Sequence, residues 1–170
     1  MTEEVKKLII DMALNRVSRE SLLHHFGSSV DGADLAVTLL EEAYRNHDKE
    51  GVECALIVAF TFGIDKRNLP VLCKLIDADW HIKHEDVVTA LGKLADPRSV
   101  DVLRRATDYL PAYLDYDESR ALAVKAIWAL GRIPGKHAND VLVELSKSDD
   151  KRLRDVALKQ LEIRRTEGPL

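Results

Sequence analysis

A small residue followed by a large apolar one recurs at regular intervals along this chain. The pair stands at four places, with steps of 31, 36 and 31 positions, namely Ala59-Phe60, Ala90-Leu91, Ala126-Ile127 and Ala157-Leu158. A Leu follows one helical turn after the last three pairs, at Leu94, Leu130 and Leu161. Small and large residues at i, i+1 and i+4 form one apolar stripe of a closely packed helix. A period of this length suits a helical hairpin, which cannot bury its apolar face alone. The repeat therefore predicts an all-α chain of stacked hairpins.

Apolar periodicity and turn residues place the individual helices. The composition agrees with a helical chain, because only eight Gly and five Pro occur among 170 residues. Gly27 and Gly63 follow apolar runs, as helix-ending glycines do, and Asp96-Pro97 reads as an N-cap followed by a first helical residue. Ten helices are predicted near 2–15, 18–26, 33–46, 50–62, 68–77, 82–95, 97–109, 118–132, 137–147 and 150–164.

The repeat also predicts which side chains form the core. Nine repeat positions are expected to be buried between neighbouring hairpins, namely Ala90, Leu91, Leu94, Ala126, Ile127, Leu130, Ala157, Leu158 and Leu161. Trp128 has Ile127 and Leu130 as neighbours, and we expect it in the core as well.

The residues between 88 and 103 indicate a particular kind of repeat. Val88-Thr89-Ala90-Leu91-Gly92-Lys93-Leu94-Ala95-Asp96-Pro97-Arg98-Ser99-Val100-Asp101-Val102-Leu103 resembles the short HEAT-like repeat of the bilin-lyase type, and Ala129-Leu130-Gly131-Arg132-Ile133-Pro134-Gly135 resembles part of it. The resemblance covers residues 65 to 165. It implies a right-handed α-solenoid of about five helical hairpins, with second helices on the concave side. We expect a single HEAT-like repeat domain over residues 1–170.

One His-carboxylate pair raises the question of a metal site. Deoxyhypusine hydroxylases, which are built from similar repeats, hold two irons with His-Glu pairs from several repeats, and His84-Glu85 lies in the matching place. The equivalent positions, which contain no His, are Glu53-Cys54, Arg120-Ala121 and Lys151-Arg152. One pair cannot hold an iron pair. We therefore expect no metal and a solvated helix start at His84.

Other chemistry has no motif to support it. Cys54 and Cys73 are the only cysteines, which excludes a disulfide scaffold and suits a reducing cytoplasm. Both occupy apolar helix positions, where a thiol behaves as a small hydrophobe. The chain has neither a Gly-x-Ser-x-Gly elbow nor a Gly-rich phosphate loop, and no apolar run long enough for a membrane span. The sequence predicts a non-enzymatic cytoplasmic protein without a cofactor.

The widened step of the repeat predicts a protein-binding edge. The longer turn near 109–118 contains three Tyr and three acidic residues, and Trp80 lies in the equivalent turn of the previous hairpin. Aromatic residues anchor interfaces, and clustered carboxylates attract a basic partner. The predicted contact residues are Trp80, Tyr113, Asp115, Tyr116, Asp117 and Glu118. In the alternative interpretation, Tyr109 and Tyr113 cover the end of the core and Asp117 caps the next helix.

Charge and size suggest what the partner is. Residues 1–60 carry a net charge of −5 and residues 61–120 carry −2, whereas residues 121–170 carry +3. In size and repeat type the chain resembles HEAT-like immunity proteins, which implies a non-catalytic role of binding and covering a basic toxin, such as a nuclease. One alternative is an accessory subunit of the bilin-lyase type. Another is a nucleic-acid-binding protein similar to HEAT-like DNA glycosylases, using Lys151, Arg152, Arg154, Arg164 and Arg165.

Overall fold

A computed structural model describes residues 1–27, 29–114 and 120–167. Within these ranges the chain is all-α, and no strand occurs. The α-helices are α1 (Glu3–Ala13), α2 (Arg19–Phe26), α3 (Gly32–Arg45), α4 (Lys49–Phe62), α5 (Leu69–Ile76), α6 (His84–Leu94), α7 (Val100–Asp108), α8 (Ala121–Arg132), α9 (Lys136–Leu145) and α10 (Lys151–Glu167). Short 3-10 helices span Lys66–Asn68, Pro97–Ser99 and Ala112–Leu114. Each predicted helix has a counterpart, and none of those described is long and apolar enough to cross a membrane.

Local residue chemistry explains several helix ends. Gly27 and Gly63 follow α2 and α4 with φ of +130° and +115°, a backbone conformation that side-chain-bearing residues rarely adopt. The Asp96 carboxylate accepts a hydrogen bond from the Arg98 backbone N–H at 3.0 Å. It also accepts hydrogen bonds from the Arg98 guanidinium. Pro97 occupies the first position of the following turn, as predicted. That turn is a 3-10 helix, and α7 begins only at Val100.

The chain divides into two compact units, which we describe separately. Unit 1 comprises Met1–Val71 and Ala78–Lys83. Helix α3 packs along α4, and α1 packs on α4. The approach of α3 to α4 is close at Gly32, where an added Cβ would lie 2.4 Å from the Phe62 ring. Fully buried large side chains in this unit include Ile9, Leu22 and Leu40.

Unit 2 comprises Leu72–Asp77 and His84–Leu170. Helix α8 lies at its centre and contacts α6, α7, α9 and α10. At the closest approach of α6 to α8, a Cβ added to Gly92 would lie 3.0 Å from the Ala129 Cβ. Small residues therefore set this helix spacing. The single domain over residues 1–170 remains a prediction.

The predicted core residues fall into three groups. Six positions are completely buried, namely Ala90, Leu91, Ala126, Ile127, Leu130 and Ala157. Leu94 and Leu161 are half-buried. The prediction is wrong for Leu158, which is 50 % exposed, because the described chain has no later helix to cover α10. It is also wrong for Trp128, which is 38 % exposed, because Ile127 and Leu130 occupy the buried side of α8.

Candidate partner-binding site

Trp80, the first predicted contact residue, belongs to an aromatic cluster of unit 1. Its indole is half-buried in the segment between α5 and α6. The indole centroid lies 5.1 Å from the His47 ring, 6.2 Å from the Tyr44 ring and 5.2 Å from the His81 ring. We call these four residues the Trp80 cluster. Its contacts orient the indole and leave part of it accessible to a partner.

The end of α3 places His47 in this cluster. His47 has φ of +48°, and its N–H donates to the Tyr44 carbonyl at 3.3 Å. The Asp48 N–H donates to the Ala43 carbonyl at 2.9 Å, which completes a Schellman ending. A left-handed conformation costs a residue with a Cβ roughly 1–2 kcal/mol, and glycine avoids this cost. The chain nevertheless has an imidazole here, packed near Trp80.

Polar contacts fix the segment that contains Trp80. The Lys83 backbone N–H donates to Nδ1 of His81 at 3.0 Å, and His81 is only 1 % exposed. Lys83 Nζ lies 2.7 Å from a Glu53 carboxylate oxygen, which ties the segment to α4. Asp79, beside Trp80, and Glu41 on α3 are exposed. The indole therefore lies in a unit whose surface presents carboxylates.

Tyr113, the second predicted contact residue, packs against a buried histidine of unit 2. Its hydroxyl lies 3.1 Å from Nδ1 of His84, and the two rings stack with centroids 5.7 Å apart. Tyr109 contacts the same imidazole edge-on at 5.3 Å. Burial raises the pKa of Tyr113 to about 12. His84 is completely buried, so the expectation of a solvated helix start was wrong. Two tyrosine rings cover the imidazole, which agrees with the alternative in which Tyr109 and Tyr113 cover the core.

The predicted contact residues are therefore only partly described. Asp115, Tyr116, Asp117 and Glu118 lie outside the described residues. Trp80 belongs to unit 1 and Tyr113 to unit 2. The six-residue binding edge stays a prediction. Its two described members, Trp80 and Tyr113, are both half-buried, and Trp80 belongs to the unit with the acidic surface.

The basic residues proposed for nucleic-acid binding are mostly engaged within unit 2. Lys151 pairs with Asp155 at 2.5 Å, and Arg165 pairs with Glu162 at 2.7 Å. Arg164 donates to the carbonyls of Leu130 and Ile133 at the end of α8, at 3.3 Å and 2.6 Å. Arg154 donates to the Ser148 and Asp149 carbonyls. These contacts compete with phosphate binding and weaken the nucleic-acid alternative.

An exposed aromatic residue on α8 was missed at the level of sequence. Lys159 Nζ lies 5.2 Å from the centroid of the Trp128 ring. Lys125 and Arg132 stand one turn before and one turn after Trp128 on the same helix. We call Lys125, Trp128, Arg132 and Lys159 the Trp128 surface. The spacing of 125, 128 and 132 on one helical face, with basic residues on both sides, could have indicated exposure.

Neither cysteine has the lowered thiol pKa of a reactive nucleophile. Burial raises the pKa of the Cys54 thiol to about 11 and that of Cys73 above its ordinary value, so both thiols are protonated near neutral pH. Cys54 is buried as predicted, whereas Cys73 is only half-buried. In the part of the chain that the structure describes, no three His, Cys, Asp or Glu side chains come together as a metal site.

One segment of the chain matches a known family of protein repeats. Residues 85–109 match the family model of the PBS lyase HEAT-like repeat. This segment runs from the first turn of α6 to the end of α7 and includes the Ala90-Leu91-Gly92 and Asp96-Pro97 motifs. No curated protein matches the chain. The match and the helical structure support HEAT-like helical repeats in this protein.

Proposed function

We propose that this chain is a protein-binding module without chemistry of its own, an immunity protein that binds and covers a basic toxin domain of the nuclease type. The observation that carries this proposal is the half-exposed Trp80, held by His47 and Tyr44 within an acidic unit. Such a ring offers a large contact area with little rotamer freedom to lose on binding.

The charge of unit 1 supports a basic partner. This unit contains thirteen acidic and nine basic residues, a net charge of −4. Asp79 and Glu41 are exposed. A surface of one sign accelerates the encounter with a partner of the opposite sign, whereas a desolvated aromatic anchor slows dissociation. Asp115, Asp117 and Glu118, which belong to unit 2, are also acidic, and their contact with a basic partner stays a prediction.

We also propose that the helices form a right-handed α-solenoid of about five hairpins, in the cytoplasm. The HEAT-like match over residues 85–109 and the agreement between predicted and observed helices support this arrangement. Stacked hairpins make a stiff surface, so binding orders little of the chain and loses little conformational entropy.

The test partner is a basic, nuclease-type domain that is sought among the proteins encoded beside this chain in its host. We expect the purified chain to bind that domain and inhibit its nuclease activity. Trp80→Ala should weaken binding by about 2 kcal/mol, mainly through faster dissociation measured by surface plasmon resonance.

Asp79→Lys with Glu41→Lys should slow association, and added salt should reduce this effect.

Trp128→Ala is the matched control, because it removes the second tryptophan of the chain, which lies in unit 2. We expect it to leave toxin binding unchanged. Lack of binding by the unsubstituted chain would contradict the immunity function. An effect of Trp128→Ala without an effect of Trp80→Ala would move the toxin site to the Trp128 surface.

A second candidate is an accessory subunit of the bilin-lyase type. The match of residues 85–109 to the PBS lyase HEAT-like repeat favours it. Such a subunit should bind a bilin and shift the visible absorbance of the pigment. A spectrum equal to the sum of the separate components would contradict this function.

A further inference from the structure

We propose that the Trp128 surface of unit 2 is a docking site for an acidic protein segment. This site is distinct from the Trp80 cluster and does not depend on the proposed toxin. The proposal rests on three observations, namely an exposed indole, two cations that no described carboxylate neutralises, and a cleft beside the ring.

The indole is presented on the outer face of α8. Lys125, Trp128 and Arg132 are spaced at intervals of three and four residues, so they form one stripe along that helix. The ring is 38 % exposed, and Lys159 from α10 lies 5.2 Å from its centroid. A cation over an indole face is attracted by the ring quadrupole. Lys159 therefore has a preferred position beside the ring.

The neighbouring carboxylates already have partners. Glu85 lies 2.6 Å from Lys125. On α10, Asp155 and Glu162 flank Lys159 in sequence, but they pair with Lys151 and Arg165 respectively. Arg132 is exposed, and among the described residues no carboxylate pairs with Arg132 or Lys159. Two cations, one close to the Trp128 ring and one on the next turn of α8, thus remain available to an anionic ligand.

A cleft of about 180 Å³ lies beside the indole, between α6 and α8. Val88, Thr89 and Gly92 of α6 form one side of the cleft, and Lys125, Trp128 and Arg132 form the other. Gly92 contributes no side chain to this space. The cleft is large enough for an aliphatic side chain, and Arg132, which no described carboxylate neutralises, contributes a cation to its lining. This arrangement suits an apolar residue flanked by Glu or Asp.

Charge distribution favours an acidic protein segment over nucleic acid. Unit 2 contains sixteen acidic and sixteen basic residues, so the cations of the Trp128 surface form a local patch and not part of an extended basic stripe. Nucleic-acid binding generally requires several phosphates to be neutralised together. The Trp128 surface has two available cations and one cleft, which fit a short stretch of carboxylates.

The experiment measures fluorescence anisotropy of a labelled peptide in which two glutamates stand on each side of one central leucine. We expect saturable binding at low salt. Arg132→Glu with Lys159→Glu should weaken it at least about tenfold, because attraction becomes repulsion. Trp128→Leu should also weaken binding, whereas Trp128→Phe should retain most of it. Lys147→Glu is the matched control, since Lys147 is an exposed cation of the same unit away from the cleft, and it should have little effect. Circular dichroism verifies that each variant is folded.

Three results would overturn the proposal. The first is the absence of saturable binding by the unsubstituted chain. The second is an equal loss of affinity in Lys147→Glu and in the double variant, which would indicate nonspecific attraction. The third is tighter binding of a twelve-nucleotide single-stranded DNA than of the peptide, which would assign the surface to nucleic acid. These results do not depend on toxin binding, so this site and the proposed function can fail separately.

Discussion

At the scale of single residues, the helix start at His84 is buried, although it was expected to be solvated. His84 and His81 are almost inaccessible, and each imidazole has a polar contact through Nδ1. Burial of a polar group is tolerated when its hydrogen bonds are satisfied within the protein. Packing between Tyr109 and Tyr113 can therefore accommodate His84 without a metal ligand role.

Two leucines of the same repeat pattern allow a test of the core. Leu130 is completely buried, whereas Leu158 is 50 % exposed. Leu130→Ala should lower the free energy of unfolding by roughly 2–5 kcal/mol, because it removes buried surface and leaves a cavity. Leu158→Ala should change it by less than about 0.5 kcal/mol. Urea unfolding measures both. A loss below about 1 kcal/mol for Leu130→Ala would contradict the assigned packing.

At the scale of secondary-structure elements, several helices end without glycine. Asn15, His47 and Ala95 have φ of +57°, +48° and +48° after α1, α3 and α6. Asn adopts this conformation more readily than other residues with a side chain, whereas Ala has no polar group to compensate its strain. The end of α6 is therefore a place where backbone strain is stored and can be removed.

Ala95→Gly should stabilise the protein by roughly 0.5–1 kcal/mol, because glycine adopts positive φ without a Cβ clash and this gain exceeds its larger unfolded-state entropy. The matched control is Ala13→Gly at the exposed end of α1, within the helix. There the same replacement should destabilise, by at most the roughly 0.5–1 kcal/mol that glycine costs in a helix interior. Thermal and urea unfolding measure both changes. The same sign for the two variants would contradict the role given to φ.

At the scale of the whole molecule, charge and aromatic residues are divided between the units. Unit 1 has a net charge of −4 and contains Trp80, whereas unit 2 is neutral and contains Trp128. Each tryptophan therefore reports on the unfolding of its own unit. The proposed basic partner binds unit 1, whereas the proposed acidic segment binds unit 2.

The single-domain prediction can be tested with these two reporters. Trp128→Phe leaves Trp80 as the fluorescent reporter, and Trp80→Phe leaves Trp128. If residues 1–170 unfold as one cooperative domain, each variant should show coincident urea curves from its tryptophan fluorescence and from far-ultraviolet circular dichroism. Separate midpoints for the two probes within one variant would show that the units unfold independently.

Sequence patterns correctly predict the helical class, the approximate position of each helix, the Asp96-Pro97 turn and most of the repeat core. These properties depend on local spacing, capping and backbone preference, which neighbouring residues in the chain largely control. The pattern of residues 88–103 also predicted a HEAT-like repeat, and the family match over residues 85–109 agrees with this prediction.

The environments of Trp128, Leu158 and His84 depend on packing between helices, which local patterns do not reveal. An apolar stripe shows which face of a helix prefers burial, but exposure depends on whether another element covers that face. Leu158 lacks such a cover within the described chain, and Trp128 lies outside the stripe made by Ile127 and Leu130. His84 is buried by tyrosines 25 and 29 positions away. Contacts between residues distant in sequence, rather than local periodicity, therefore created the candidate sites.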